Sequence, residues 1–327
     1  MAAIRIGLAI LAAVVGFGFG SAPLSAQTYP TKPIRIVVPT SPGGITDTLA
    51  RALAQRLTEA LGQQVIVENR PSGAGHIGMD FVAKAPPDGY TLVVAADASF
   101  VVNPHLYSRL SYDPINELIP VSGLGISPQA LVLHPSVPAH TFRELIAYAK
   151  TKPGDLNYGT FGIGTSGHLN ILYLEGETGT KFTPVHYRGA APAITDLLGG
   201  HIQMMIVAIG LLRQNIEAGK LKALGIGSKQ RLPQYPNLPT LSESGLPGFE
   251  AGSWFGLAAP KGTPREIVEK LSAETQKIFS DAAFRDRYLA PAVTFSIASP
   301  PGEFAERIRA DLAKWGKVIK DAGVKVE

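Results

Sequence analysis

Cysteine is absent from all 327 residues. That excludes disulfides, thiolate metal sites, a cysteine nucleophile and a lipidated N-terminal cysteine. Charge is sparse as well: 17% of residues are Asp, Glu, Lys or Arg, and the formal net charge is +4. The basic residues are spread along the chain with no basic run and no interleaving with aromatics, so nothing supports a nucleic-acid partner. The seven histidines show no H-E-x-x-H or comparable metal spacing. No serine lies in a G-x-S-x-G elbow, and no carboxylate pair stands out for acid–base work. No metal or cofactor is expected.

What is present begins with an apolar N-terminus. Arg5 gives a short positive region, Ile6 to Gly20 is uncharged and mostly apolar, and Ser21-Ala-Pro-Leu-Ser-Ala26 ends in a small residue. The run is shorter than the ~20 residues a spanning helix needs, so residues 1–26 read as a secretory signal cut after Ala26. Losing Arg5 with that leader takes the formal charge from +4 to +3. The mature chain, about 300 residues, is long enough to bury a large core without staples and to form two domains. It is expected to be a soluble monomer in an extracytoplasmic compartment, most simply a periplasm.

After Pro33 the chain alternates strand and helix, which means βαβ units and a parallel sheet. Ile34–Val38, Val65–Glu68 and Thr91–Ala95 read as strands, with helices over Thr46–Leu61 and Ala74–Lys84 between them. A second series follows from Leu131-Val-Leu133. It has strands at Leu156–Thr160, Pro184–Tyr187, Gln203–Val207 and Leu221–Ile226, and helices opening at Thr141, Ser166 and Pro192. Thr141 with Glu144 three residues on is a capping box. Trp254–Ala259 is a further strand. Thr263-Pro264 opens a helix with a capping threonine and proline in its first turn. A final helix over Gly302–Ala322 carries Phe304, Ile308, Leu312, Trp315 and Ile319 on its inward face.

Each series contains a glycine turn between a strand and a helix. The first is Ser41-Pro-Gly-Gly-Ile-Thr-Asp47. The second is Gly162-Ile-Gly-Thr-Ser-Gly167, followed by His168. Both present small residues and unpaired N–H groups at a helix N-terminus, which favours negative charge. The second turn matches G-x-G-x-x-G, but its context is wrong for a dinucleotide. That fingerprint needs an acid about 20 residues on, after the next strand, and Arg188 stands there instead. His168 beside Ser166 and Thr165 invites a nucleophile–base pair, yet two residues on one helical turn do not make a triad. Two matched turns, one per series, point to a cleft that grips a small anion.

These stretches, taken in order, resemble the Bug-type solute-binding receptors of tripartite tricarboxylate transporters. The resemblance rests on Pro30-Thr-Lys-Pro33, Pro42-Gly-Gly-Ile-Thr-Asp47, Val67-Glu-Asn-Arg-Pro-Ser-Gly-Ala-Gly75, Pro87-Asp-Gly-Tyr-Thr-Leu92 and Asn103-Pro-His-Leu-Tyr107. It continues through Asn157-Tyr-Gly159, Tyr187-Arg-Gly-Ala190, Thr195-Asp-Leu-Leu-Gly-Gly200 and Trp254-Phe-Gly-Leu-Ala-Ala-Pro-Lys-Gly-Thr-Pro264. It implies an α/β protein of the type II periplasmic binding fold, with two α/β lobes joined by crossing strands near Gly125–Leu131 and Gly252–Leu257. Lobe 1 would take 27–127 and 251–327, and lobe 2 would take 128–250. The implied function is capture of a small carboxylate, aromatic or dicarboxylate, and delivery to a membrane permease.

Carried over by position, the first cradle is Ser41, Pro42, Gly43, Gly44, Thr46 and Asp47. The second is Thr160, Gly164, Thr165, Ser166 and His168. Asp97, Ala98 and Ser99 would line the cleft, with Asp97 either meeting a ligand N–H or O–H or turning away. Arg188 is a counter-charge for a second carboxylate or a surface residue. Where many relatives carry a polar or acidic residue, this chain reads Val207-Ala-Ile-Gly210. That leans toward a less polar acid, with Phe100 and Trp254 either flanking a ring or, as aromatics more often do, packing in the core. An exported hydrolase using His168, and a sensory receptor that presents its ligand to a signalling protein, are the other classes.

Overall fold

A computed structural model describes residues 29–72, 75–187 and 189–325. The expected leader, Ala74 and Arg188 lie outside the described residues. The first series forms β1 (Ile34–Val38), α1 (Ile45–Leu61), β2 (Val65–Asn69), α2 (His76–Ala83) and β3 (Thr91–Ala96). A single π-turn (Ala98–Val102) and α3 (Asn103–Leu106) lead into β4 (Leu118–Leu133). Then come α4 (Phe142–Thr151), β5 (Asn157–Thr160), α5 (Ser166–Thr178), β6 (Thr183–His186) and α6 (Ala190–Leu198). These are followed by β7 (Met204–Ala208), α7 (Arg213–Glu217) and β8 (Lys222–Ile226). The chain ends through β9 (Gly252–Pro260), α8 (Arg265–Ser280), α9 (Ala282–Phe284), β10 (Phe295–Ser299) and α10 (Pro301–Ala322).

The helices form for the reasons the sequence suggests, with one exception. In α1, Leu49, Leu53 and Leu57 are buried on one face, and Gly62 ends the helix in a left-handed conformation. At α4, Thr141 Oγ1 accepts the Glu144 N–H at 3.2 Å, and the Glu144 carboxylate accepts the His140 N–H at 2.6 Å. The exception is α8. Its N-cap is Pro264, without a side-chain cap, and the Thr263 hydroxyl donates instead to the Pro260 carbonyl at 2.8 Å. Thr263 therefore closes the turn before the helix and does not cap it.

The sheet order is β2-β1-β3-β9-β4-β7-β5-β6, with β8 and β10 also on β4. Lobe 1 is the parallel trio β2-β1-β3 flanked by antiparallel β9, and lobe 2 is β6-β5-β7 flanked by antiparallel β4. β4 spans both lobes. From Leu118 to Pro128 it pairs with β9, and from Gln129 to Leu133 with β7. Pro128, which has no N–H to give, stands at the change of partner. β3 ends with Ala96 opposite Phe255, and β7 ends with Ala208 opposite Gln129. The carboxyl ends of both sets of parallel strands thus run toward the crossing from opposite sides. The loops that follow them face each other, as ligand loops of α/β folds do.

Each lobe packs helices on both sheet faces. α1 and α8 cover one face of lobe 1, and α2, α3 and α10 the other. In lobe 2, α4 and α5 cover one face and α6 the other. Leu169 and Leu172 of α5 join the lobe 1 cluster that contains Phe100, Leu106 and Trp315, so this helix carries part of the contact between lobes.

Candidate functional site

The two glycine turns share one local design. In the first, Gly43 takes φ +87°, Gly44 is the N-cap, and Ile45, Thr46 and Asp47 open α1. The first intrahelical bond runs from Thr48 N to Gly44 O at 2.9 Å, so the N–H groups of Ile45, Thr46 and Asp47 precede it. In the second, Gly164 takes φ +74°, Thr165 is the N-cap, and Ser166, Gly167 and His168 open α5. Neither helix has a side-chain cap: Gly44 has no side chain, and Thr165 does not cap α5. In both, the third helical residue reaches back to the glycine. Gly43 N–H donates to Asp47 Oδ2 at 2.9 Å, and Gly164 N–H donates to His168 Nδ1 at 3.1 Å. The side chain best placed to cover the helix end is spent on holding the turn. Around the first helix start Ser41 to Gly44 are exposed; at the second Ile163 is exposed, while Gly164 and Ser166 to His168 are buried.

The electrostatics of the two turns differ. Burial works against the Asp47 charge, but hydrogen bonds from Arg51, Gly43 and Asn69 outweigh it and hold the carboxyl below the ordinary range. Arg51 Nε lies 3.0 Å from Oδ2, and Asn69 Nδ2 donates to Oδ1 at 2.9 Å. Asp47 is 3% exposed and saturated by Gly43, Arg51 of α1 and Asn69 of β2, which leaves Ser41, Pro42, Gly43 and Gly44 as the exposed face. His168 is held neutral, its pKa pushed down to about 4 by burial and by the charge of neighbouring His186. Since Nδ1 accepts from Gly164, the ring proton sits on Nε2. The ring stacks beside Tyr158 at 6.4 Å between centroids.

Thr160, at the end of β5, is fully buried; its hydroxyl lies 2.8 Å from His186 Nδ1. Thr165 Oγ1 donates to Gly162 O at 2.7 Å and tightens the turn. The Ser166 hydroxyl accepts from Gln129 Nε2 at 2.6 Å, and Asn170 Nδ2 donates to Gln129 Oε1 at 2.8 Å. Gln129, on β4 where it changes lobes, ties the crossing strand to the second turn. Sequence reading missed it; the signal was one amide at the head of the apolar run Ala130-Leu-Val-Leu133.

Other expected positions sit elsewhere. Asp97 is 4% exposed, and its Oδ1 accepts from Ala98 N at 2.9 Å and from Ser253 Oγ at 2.7 Å. Burial above all, with Asp311 nearby, raises its pKa to about 7 despite those bonds. It lines a cavity beside Trp254, Asp311 and Lys314, so it is turned under α10. Ala98 and Ser99 lie in the π-turn, and Ser99 Oγ is 3.3 Å from where a side chain on Gly75 would begin. Val207 is 1% exposed and packs in the lobe 2 core with Ala193 and Val293. Of the two readings of Phe100 and Trp254, core packing is what the structure has: Phe100 stacks on Trp254 at 5.7 Å, and Phe304 meets Trp254 edge-on at 5.3 Å. All three are 2% exposed or less, because they pack against one another inside lobe 1. Among the described residues, no cluster of three or more His, Asp or Glu is placed to hold a metal ion.

Comparisons with known proteins agree with this fold. A family profile described as the tripartite tricarboxylate transporter family receptor matches residues 49–324. BugT of Bordetella pertussis is 35% identical over 98% of both chains. A protein of R. palustris solved with adipate is 34% identical, with TM-score 0.81 over 91% of this chain and 99% of that one. MatC from Rhodopseudomonas palustris, solved with bound malate, is 31% identical, with TM-score 0.77 over 89% of this chain and 100% of that one.

Proposed function

The chain belongs to the tripartite tricarboxylate transporter receptor family, and we propose that it captures a small aliphatic dicarboxylate between its two helix-start turns and delivers it to the membrane permease of such a transporter. The observation that carries this reading is the pairing of the turns. One per lobe, each has a left-handed glycine, an uncapped helix N-terminus and a third helical residue folded back on the glycine. Two helix N-termini without side-chain caps suit two carboxylates.

The aliphatic class follows from what the cleft offers. Phe100 and Trp254 are committed to each other, so this pair does not sandwich a ring. Ile163, 47% exposed at the tip of the second turn, gives a methylene spacer an apolar surface. The adipate and malate bound to the R. palustris relatives are dicarboxylates and fit this class. Arg188 would serve as an outer counter-charge. Residues 1–26 would export the chain to the periplasm, where it acts as a monomer. Closure follows because a ligand touching both turns binds the closed lobes better than the open ones. The hydrolase reading loses its base, since the His168 Nδ1 lone pair is occupied by Gly164.

A thermal-shift screen tests this. At a hundredfold excess over Kd, ligand adds about 2.7 kcal/mol, or about 4 °C for a chain of this size. Adipate or malate is expected to give that shift, and acetate and benzoate much less. With His168 neutral, the shift should change little between about pH 6 and 8. No shift with any dicarboxylate of four to eight carbons would remove the proposal.

A further inference from the structure

A cavity of about 480 Å³ lies along the crossing strands, beside the start of β9. Its lining is mainly apolar, from Ile126 and Pro128 of β4, Ala251, Leu232 and Phe295 of β10. One wall is the turn after β8, and that wall is fixed. Gly227 N–H donates to Gln129 O at 2.8 Å, Ala251 N–H donates to Gly227 O at 2.9 Å, and Gln129 N–H donates to Ala251 O at 3.0 Å. A side chain on Gly227 would begin 2.4 Å from Ala251 O, so the turn is seated directly on the chain that leads into β9. Another wall is α10, through Arg307. A preformed, mostly apolar cavity with a few convergent polar groups is the usual form of a small-molecule site.

Arg307 sets the charge that this cavity prefers. Three cations line it, Lys229, Arg231 and Arg307, against one carboxylate, Glu250. Two of the cations are engaged. Arg231 Nε lies 2.9 Å from Glu243 Oε2, and its Nη1 donates to Pro236 O at 3.2 Å. Lys229 Nζ lies 3.6 Å from Glu250 Oε1. Arg307 is half-buried and has no hydrogen bond, ion pair or ring contact among the described residues. It also lines an adjoining cavity with Asp97 and Asp311, but those acids are engaged as well. Asp97 accepts from Ala98 N and Ser253 Oγ, and Asp311 accepts from Trp254 Nε1 at 2.6 Å. A guanidinium is a planar fork of donors matched to a carboxylate, and holding it partly desolvated without a partner is costly. A free cation beside an apolar surface selects an anion with an apolar body. Phe295 is the one ring in the lining, so no pair of rings sandwiches an aryl group, and the surface suits an aliphatic chain.

We propose that this cavity is a second ligand site, which takes a single carboxylate on a straight aliphatic chain. The Arg307 guanidinium forks onto the carboxylate, and the chain lies on Ile126, Leu232 and Phe295. The proposal does not rest on dicarboxylate capture at the two turns. Calorimetry with octanoate tests it. The wild type is expected to bind octanoate one to one, and octylamine, with the same chain and the opposite charge, should not bind. Arg307→Leu keeps bulk and removes the charge; it should weaken octanoate at least about tenfold, the scale of a lost charge-assisted hydrogen bond. Arg307→Lys keeps the charge without the fork and should fall between. Lys229→Glu, on a side chain 78% exposed, adds a carboxylate at the cavity and should also weaken octanoate; it carries the test if Arg307→Leu does not fold. Octanoate affinity should be unchanged by saturating adipate, and adipate affinity unchanged in Arg307→Leu. No octanoate binding, equal octanoate affinity in the wild type and the folded variants, or displacement by adipate overturns the proposal. A wild type that binds octanoate but neither adipate nor malate counts against dicarboxylate capture and leaves this site standing.

Discussion

Gly164→Val is expected to abolish measurable dicarboxylate binding and to cost about 2–4 kcal/mol of stability. Two independent effects add. The backbone at Gly164 has φ +74°, where a β-branched residue is strained. A side chain there would also begin 1.9 Å from Leu106 Cδ1, inside the contact between the second turn and lobe 1. Leu106 is 3% exposed, so it moves only by disturbing the cluster around Phe100 and Trp315. Relief comes most easily from shifting the turn itself, which withdraws the α5 N-terminus from the ligand. Gly43→Ala is the informative partner. That position has φ +87° but nothing within 4 Å of an added carbon. It should lose only about 1 kcal/mol, from backbone strain. Calorimetry and urea unfolding separate the two effects. Binding by Gly164→Val at wild-type affinity would show that the second turn does not hold the ligand.

Asp47→Ala should have a comparable effect by a different route. The carboxylate accepts from Gly43 N, Arg51 Nε and Asn69 Nδ2, so its removal takes a partner from three donors, of which Asn69 Nδ2 keeps the Thr40 carbonyl, and frees the first turn. The expected loss is about 2–4 kcal/mol, tempered by the exposure of Arg51, together with at least tenfold weaker binding. The pH dependence has a definite sign. A carboxyl held below its ordinary pKa stabilises the fold above the unfolded value, and that contribution disappears as pH falls through the folded value. Wild-type stability should therefore drop below about pH 4 more steeply than that of Asp47→Ala. Parallel curves would mean that Asp47 is not the charged anchor of the turn.

The alternation of strands and helices was legible because each short apolar run is bounded by Pro or Gly and each helix shows its stripe, as Leu49, Leu53 and Leu57 do in α1. The extent of β4 was not. Leu118-Ile-Pro-Val-Ser-Gly-Leu-Gly-Ile-Ser-Pro128 breaks period 2 with bulges, and its glycines have no strand propensity of their own. They are there because β10 crosses at that point: a side chain on Gly123 would begin 2.4 Å from Ser299 Oγ. Both turns were readable from glycine spacing and helix starts. The roles within them were not, because Asp47 and His168 look like ligand groups until their partners at positions 43 and 164 are seen. Gln129 and the Phe100–Trp254 pair depend on contacts distant in sequence, which no local pattern carries.

The central claim is that both helix-start turns grip one ligand together. Titration of 15N-labelled protein with adipate, following the amide signals of Gly43, Thr46, Gly164 and Ser166, measures this most directly. The account predicts that all four move with a single common dissociation constant. Shifts confined to one turn, or centred on the residues around Arg307 with both turns unmoved, would contradict it.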